Sequence, residues 1–102
     1  MDSMIRSFFL GFIKIHILHH ATEEPVYGLW LIEELKRHGY DISPGTLYPM
    51  FHSLEEGGLL QSQEQVVDGK VRKYYRITSK GKKTLKQAKE KVQELLNEII
   101  ED

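Results

Sequence analysis

The sequence predicts a mainly α-helical domain carrying one β-hairpin, and three observations predict it. Apolar residues recur at helical spacing in four separate runs. One Asp-Gly pair, Asp68-Gly69, sits between two strand-like runs. Pro25, Pro44 and four of the eight glycines, Gly39, Gly57, Gly58 and Gly69, stand at the boundaries of these runs as punctuation. At 102 residues the chain has room for one domain with a modest core. It contains no cysteine, which excludes a disulfide scaffold, thiol catalysis and thiolate metal sites, and fits a reducing, cytoplasmic setting.

The first helix is expected from about Ser3 to Ala21. Ile5, Phe8, Phe9, Leu10, Phe12, Ile13, Ile15, Ile17 and Leu18 cover most of its circumference, leaving only Ser7, Gly11 and Lys14 as a polar or small strip. A helix apolar on most faces must be covered on most faces. So short a chain has little material to cover it, so the segment points to a subunit interface through Phe8, Phe9 and Phe12. Arg6, Lys14 and His16 interrupt the run, which is too short and too charged for a membrane span or a signal-peptide core. No membrane partner is expected.

Thr22-Glu-Glu-Pro25 breaks the chain with helix-start chemistry. A second helix should follow from about Val26 to His38, with Val26, Leu29, Trp30 and Leu35 at helical spacing and a Glu33–Arg37 pair outside. Gly39 is its natural stop. Ser43 and Pro44 then fit the N-cap and first position of a third helix, ending near Glu56 before Gly57-Gly58. Its apolar stripe is Leu47, Met50, Phe51 and Leu54; Thr46, Tyr48, Pro49, His52 and Ser53 fall on other faces.

From Leu59 the period changes to two. Leu60–Val67 and Lys70–Ile77 flank Asp68-Gly69, a strong two-residue hairpin signal. Val71, Lys73, Tyr75 and Ile77 share one face of the second strand, and Lys70, Arg72, Tyr74 and Arg76 the other. Thr78 can cap a last helix reaching about Ile100. Leu85, Ala88, Val92, Leu95 and Ile99 form a heptad seam on it, widened by Leu96 and Ile100.

Helix, helix, short turn, helix, hairpin, helix is the order of a winged helix-turn-helix with added N- and C-terminal dimerisation helices. We assign residues 1–78 to the winged domain with its N-terminal helix, and residues 79–102 to a C-terminal dimerisation helix. In this architecture the second helix of the turn enters the DNA major groove and the hairpin wing reaches the backbone.

The charge pattern agrees. The formal charge is only −1, yet residues 70–91 hold ten of the fourteen basic side chains and a single acid, Glu90, for a net +9. The remainder, including the acidic end from Glu98 to Asp102, carries −10. An acid-free run from Lys70 to Lys89 favours a polyanion over a merely solvated face. The expected DNA surface is therefore Ser43, Pro44, Gly45, Thr46, Tyr48, Pro49 and His52 on the reading helix, with Lys70, Arg72, Lys73 and Arg76 on the wing. The expected dimer surface is Phe8, Phe9 and Phe12 with Leu85, Ala88, Val92, Leu95, Leu96 and Ile99.

Four blocks carry a family resemblance: Tyr27-Gly28 with Ile32-Glu33-Glu34-Leu35; Ser43-Pro44-Gly45-Thr46-Leu47-Tyr48-Pro49; His52-Ser53-Leu54-Glu55; and Arg72-Lys73-Tyr74-Tyr75-Arg76-Ile77-Thr78 with Gly81. In order and spacing, from about Val26 to Leu85, the chain resembles the PadR family of prokaryotic transcriptional regulators. The resemblance implies a homodimeric DNA-binding repressor, with Tyr48 and its neighbours at the DNA. It also implies possible relief by a small aromatic or hydrophobic effector. A single C-terminal helix resembles the short subgroup, without a separate C-terminal effector domain.

Other readings set the limits. Trp30 is either an effector-pocket residue or a core anchor. His16, His19 and His20 stand at i, i+3 and i+4, a spacing that can share a metal in a metal-responsive regulator. With no cysteine and only Glu23 and Glu24 nearby, partly exposed histidines are the simpler reading, and no metal or cofactor is assigned. A winged-helix protein-interaction module without DNA binding is a further alternative. There is no phosphate-cradling glycine motif, no His-Glu-x-x-His and no plausible catalytic triad, so no enzyme is expected.

Overall fold

The computed structural model describes residues 2–100. Glu101 and Asp102, the end of the expected acidic tail, lie outside the described residues. The elements run α1 (Ser3–Glu23), α2 (Gly28–Arg37), α3 (Pro44–Glu56), β1 (Leu60–Val67), β2 (Lys70–Ile77) and α4 (Ser79–Ile99).

Helix ends follow local chemistry. Asp2 caps α1 by accepting from the Met4 amide at 2.8 Å. Both α2 and α3 end with a pair of returning amides: Gly39 to Lys36 and Tyr40 to Leu35, then Gly58 to Glu55 and Leu59 to Leu54. The Thr78 hydroxyl caps α4 by accepting from the Gly81 amide at 2.9 Å, and it donates to the Gly58 carbonyl at 2.6 Å. One side chain thus ties the end of α3 to the start of α4.

The hairpin pairs Leu60 with Ile77 and, at its tip, Val67 with Lys70. Asp68 and Gly69 both carry positive φ, 52° and 75°, as a two-residue turn matched to strand twist requires.

One core joins the elements. Ile13 and Ile17 of α1, Leu31 and Leu35 of α2, and Leu47 and Phe51 of α3 are fully buried. Phe51 stacks on Tyr75 of β2 at 4.2 Å, ring planes 6° apart. The hairpin is therefore seated on α3 through its base. Leu85 also enters this core, but α4 then leaves the body, and every residue from 91 to 100 is exposed. The molecule measures 54 × 31 × 22 Å.

Two expectations change at the start of α2. Val26 is not helical; it is buried and bridges Tyr75, with amides exchanged at 2.9 and 2.8 Å. A β-branched residue beside Pro25 takes an extended backbone readily, and β2 offers an edge to pair with. The helix therefore begins at Gly28, and Leu29 points out, 57% exposed, while Leu31 takes the core position. Arg37 pairs with Glu34 at 2.7 Å rather than with Glu33. No helix among the described residues is long and apolar enough to cross a membrane.

Candidate nucleic-acid interface

Tyr48, Lys70, Arg72 and Lys73 line one open groove of about 520 Å³ between the two helices of the turn and the wing. Tyr48 projects from the middle of α3, 49% exposed. Its ring lies over the first residue of α2, where Gly28 leaves it room: a Cβ there would stand 2.5 Å from the Tyr48 hydroxyl. At the N-terminus of α3, Pro44 and Gly45 are exposed. Ser43 occupies the N-cap position, but its hydroxyl meets Thr46 Oγ1 at 3.2 Å instead of accepting a backbone amide. The first-turn amides keep no side-chain cap. Pro49 is exposed on the same helix, and His52 faces Glu56 at 3.2 Å one turn further on.

The wing cations are placed differently from one another. The Arg72 guanidinium lies 4.1 Å over the Tyr27 ring, and Tyr27 in turn packs edge-on to Tyr74 at 5.3 Å. This is a cation–π seat that fixes a long side chain. A hydrogen bond with Tyr74 further holds the guanidinium charge, pushing its pKa above the ordinary arginine value. Lys73 instead faces Glu55 of α3 at 3.7 Å. Glu55 also accepts from the Ser62 amide at 3.1 Å and from the Ser62 hydroxyl. The Ser62 hydrogen bond, and after it the Lys73 charge, hold the Glu55 carboxyl below its usual range. Glu55 thus clamps both hairpin strands to α3. Burial pushes the Tyr75 phenol up, so it stays neutral. Arg76 lies outside the groove, beside Glu23, Glu24 and Pro25 at the base of the wing.

Three residues that position this site were not assigned a role from the sequence: Tyr27, Glu55 and Gly28. Each lies in a block that matches the family pattern, which was the only available signal. Their work is long-range contact, which periodicity does not encode.

A second surface is apolar. Phe8 and Phe12 of α1 and Val92, Leu95 and Leu96 of α4 line a hollow of about 500 Å³. Phe8, Leu95 and Ile99 are 65%, 48% and 66% exposed. Phe9 is instead half-buried against Tyr40 at 5.3 Å, Ala88 is half-buried, and Leu85 belongs to the chain's own core. Trp30 lies elsewhere, half-buried and edge-on to His20 at 5.5 Å.

Comparison with known proteins gives a consistent result. The model of the transcriptional regulator PadR-like family matches residues 17–87. Transcriptional regulator Rv3488 of Mycobacterium tuberculosis is 47% identical over 96 residues, covering 94% of this chain and 90% of that one. Among solved structures, a PadR-like transcription factor from Bacteroides fragilis superposes with a TM-score of 0.84 at 28% identity, covering 96% of each chain. A PadR family transcriptional regulator from Eggerthella lenta gives 0.84 at 34% identity, covering 95% of this chain and 86% of that one.

Proposed function

Because the chain belongs to the PadR-like family of transcriptional regulators, which are not enzymes, we propose that it acts as a homodimer gripping an inverted-repeat operator in double-stranded DNA and represses the genes it controls. The observation that carries this reading is the groove that gathers Tyr48, Lys70 and Arg72 between α3 and the wing. A rigid projection bearing cations suits phosphates, and a half-exposed aromatic on the facing helix suits base edges.

In the proposed complex α3 enters the major groove. Thr46, Tyr48 and His52 read bases, with Pro49 on the same face. Ser43, Pro44 and Gly45 bring the helix N-terminus close enough for the Gly45 amide to take a phosphate, since Pro44 has no N–H and the Thr46 and Leu47 amides donate to the Ser43 carbonyl. Lys70 and Arg72 hold the backbone from the wing. Lys73 serves mainly the clamp to Glu55, and Arg76 lies at the edge of the footprint. Residues 1–78 form the reading unit and α4 the dimerisation element.

Dimerisation through α1 and α4 is supported by the exposed apolar strip of Phe8, Val92, Leu95, Leu96 and Ile99, with Phe12 beside it. Two-fold pairing would set two reading heads about one helical turn apart. A small hydrophobic or aromatic effector would relieve repression by preferring one of two dimer geometries. The hollow between α1 and α4 offers it room, and Trp30 does not line that hollow. A cytoplasmic location, with no membrane partner, follows from this role.

The test is DNA binding by anisotropy on the protein's own promoter fragment and on an unrelated duplex. Tyr48→Ala should weaken promoter binding by about 1–3 kcal/mol and leave the unrelated duplex nearly unaffected. Lys70→Ala with Arg72→Ala should weaken both and flatten the salt slope by about 1–2 per subunit. Wild-type behaviour in both variants would move the reading face elsewhere.

A further inference from the structure

Four of the chain's five histidines gather at one place, the junction of α1 with α2. His16 and His20 rings lie 6.2 Å apart, His19 and His20 5.3 Å, and His16 and His38 6.2 Å. This cluster borders the apolar hollow at Phe12, whose ring lies 4.8 Å from His16, and none of its members lines the groove between α3 and the wing. Burial, and then the neighbouring histidines, lower the His16 and His20 pKa values, which favours the neutral imidazole that can ligate a metal.

We propose that His19, His20 and Glu23 form a binding site for one divalent transition-metal ion of the Zn²⁺, Co²⁺ or Ni²⁺ class. Each offers one ligand atom, and all three atoms lie within 4.8 Å of one another. A tetrahedral site with bonds of about 2.0–2.1 Å needs ligand atoms about 3.4 Å apart. Small side-chain rotations close that gap while the helix backbone stays as it is. His19 and Glu23 are already 3.1 Å apart at i,i+4. An ordinary ion pair explains those two, but it does not explain why His20 turns its ring to the same point.

The surroundings fit an ion that enters from solvent. The side chains of His19 and Glu23 are 46% and 62% exposed, so water can complete the coordination. His20 is steadied from behind by the edge of Trp30 at 5.5 Å. Two imidazoles and one carboxylate, with no thiolate in the chain, select borderline ions over soft ones such as Cu⁺. An ion here would stiffen the last turn of α1, directly before the segment in which Val26 bridges the wing at Tyr75.

The test uses the untagged 102-residue chain and is independent of DNA binding. ZnCl₂ is titrated against a chromophoric chelator, and CoCl₂ binding is followed by its visible absorption. The expected result is one ion per chain, with His20→Ala and Glu23→Gln each weakening Zn²⁺ binding by about tenfold or more. Because Glu23 is exposed, Glu23→Gln leaves folding intact and isolates the ligand role if His20→Ala disturbs the packing on Trp30. Less than one ion per chain, or Glu23→Gln binding Zn²⁺ as wild type does, overturns the assignment.

Discussion

Replacing Gly28 with alanine tests whether Tyr48 is held where a reading surface needs it. A Cβ on Gly28 would stand 2.5 Å from Tyr48 Oη, 2.7 Å from Cζ and 2.9 Å from Cε1. Carbon contacts settle at about 3.5 Å or more, so the phenol tip must retreat by about 1 Å. The obstacle is the far end of a side chain that is 49% exposed, so the ring can swing outward cheaply. Gly28 opens α2 without a positive φ, so alanine fits its backbone. Alanine also restricts the unfolded chain, which stabilises by about 0.4–1 kcal/mol. The melting temperature should therefore stay within about 5 °C of wild type. Operator affinity should not stay. A well-placed base contact contributes about 1–3 kcal/mol, and a displacement of that size forfeits much of it. We expect about a tenfold loss, or about 1.4 kcal/mol, on the promoter fragment. An unrelated duplex at the same salt should bind as before. Anisotropy on both duplexes, alongside a thermal melt, gives the answer. A folded Gly28→Ala protein with wild-type promoter affinity would refute the idea that Gly28 sets Tyr48 for reading.

Two further outcomes concern the clamp and the dimer. The Glu55 carboxyl sits below its ordinary value, so its contribution to stability is present above the unfolded value of 4.5 and is lost as pH falls through the folded value. Glu55→Gln should flatten that acid limb in urea melts recorded from neutral pH downward; an unchanged limb would mean the clamp does not stabilise the wing. Leu95→Asp should sediment as a monomer while keeping its circular dichroism, and a persistent dimer would place the interface away from α4.

Much of the fold was legible because each helix carries its own punctuation. Ser43-Pro44, Gly57-Gly58, Asp68-Gly69 and Thr78 fix boundaries locally, and the bounds of α3 and both strands fall where these residues put them. The start of α2 was not legible, because Val26 answers to Tyr75, some fifty positions away, through a backbone bridge. Leu29 and Leu31 then trade places between surface and core. The same distinction runs through the candidate site. Alternation along β2 separates Arg72 from Lys73, but only the packed structure seats Arg72 on Tyr27 and turns Lys73 to Glu55. The heptad on α4 is likewise two things at once. Leu85 anchors it in the chain's own core, and the exposed members from Val92 onward are available to another surface.

The charge block is where sequence and structure differ most usefully. A net +9 over residues 70–91 suggests a broad electrostatic footprint. In three dimensions it is not one surface. Lys73 is 3.7 Å from Glu55, Lys80 donates to the Gly57 carbonyl at 2.9 Å, and Lys91 is 3.4 Å from Glu94. Arg76 stands beside Glu23 and Glu24. Lys70 and Arg72 line the groove beside Asp68, but among the described residues neither forms an ion pair of this kind. Each neutralised phosphate contributes about 0.9 to the slope of log affinity against log salt. One wing should then supply a slope of about 2, and a homodimer about 4. A measured slope approaching the full charge of two such blocks would mean that the lysines of α4 also meet DNA, and the footprint would have to be redrawn along that helix.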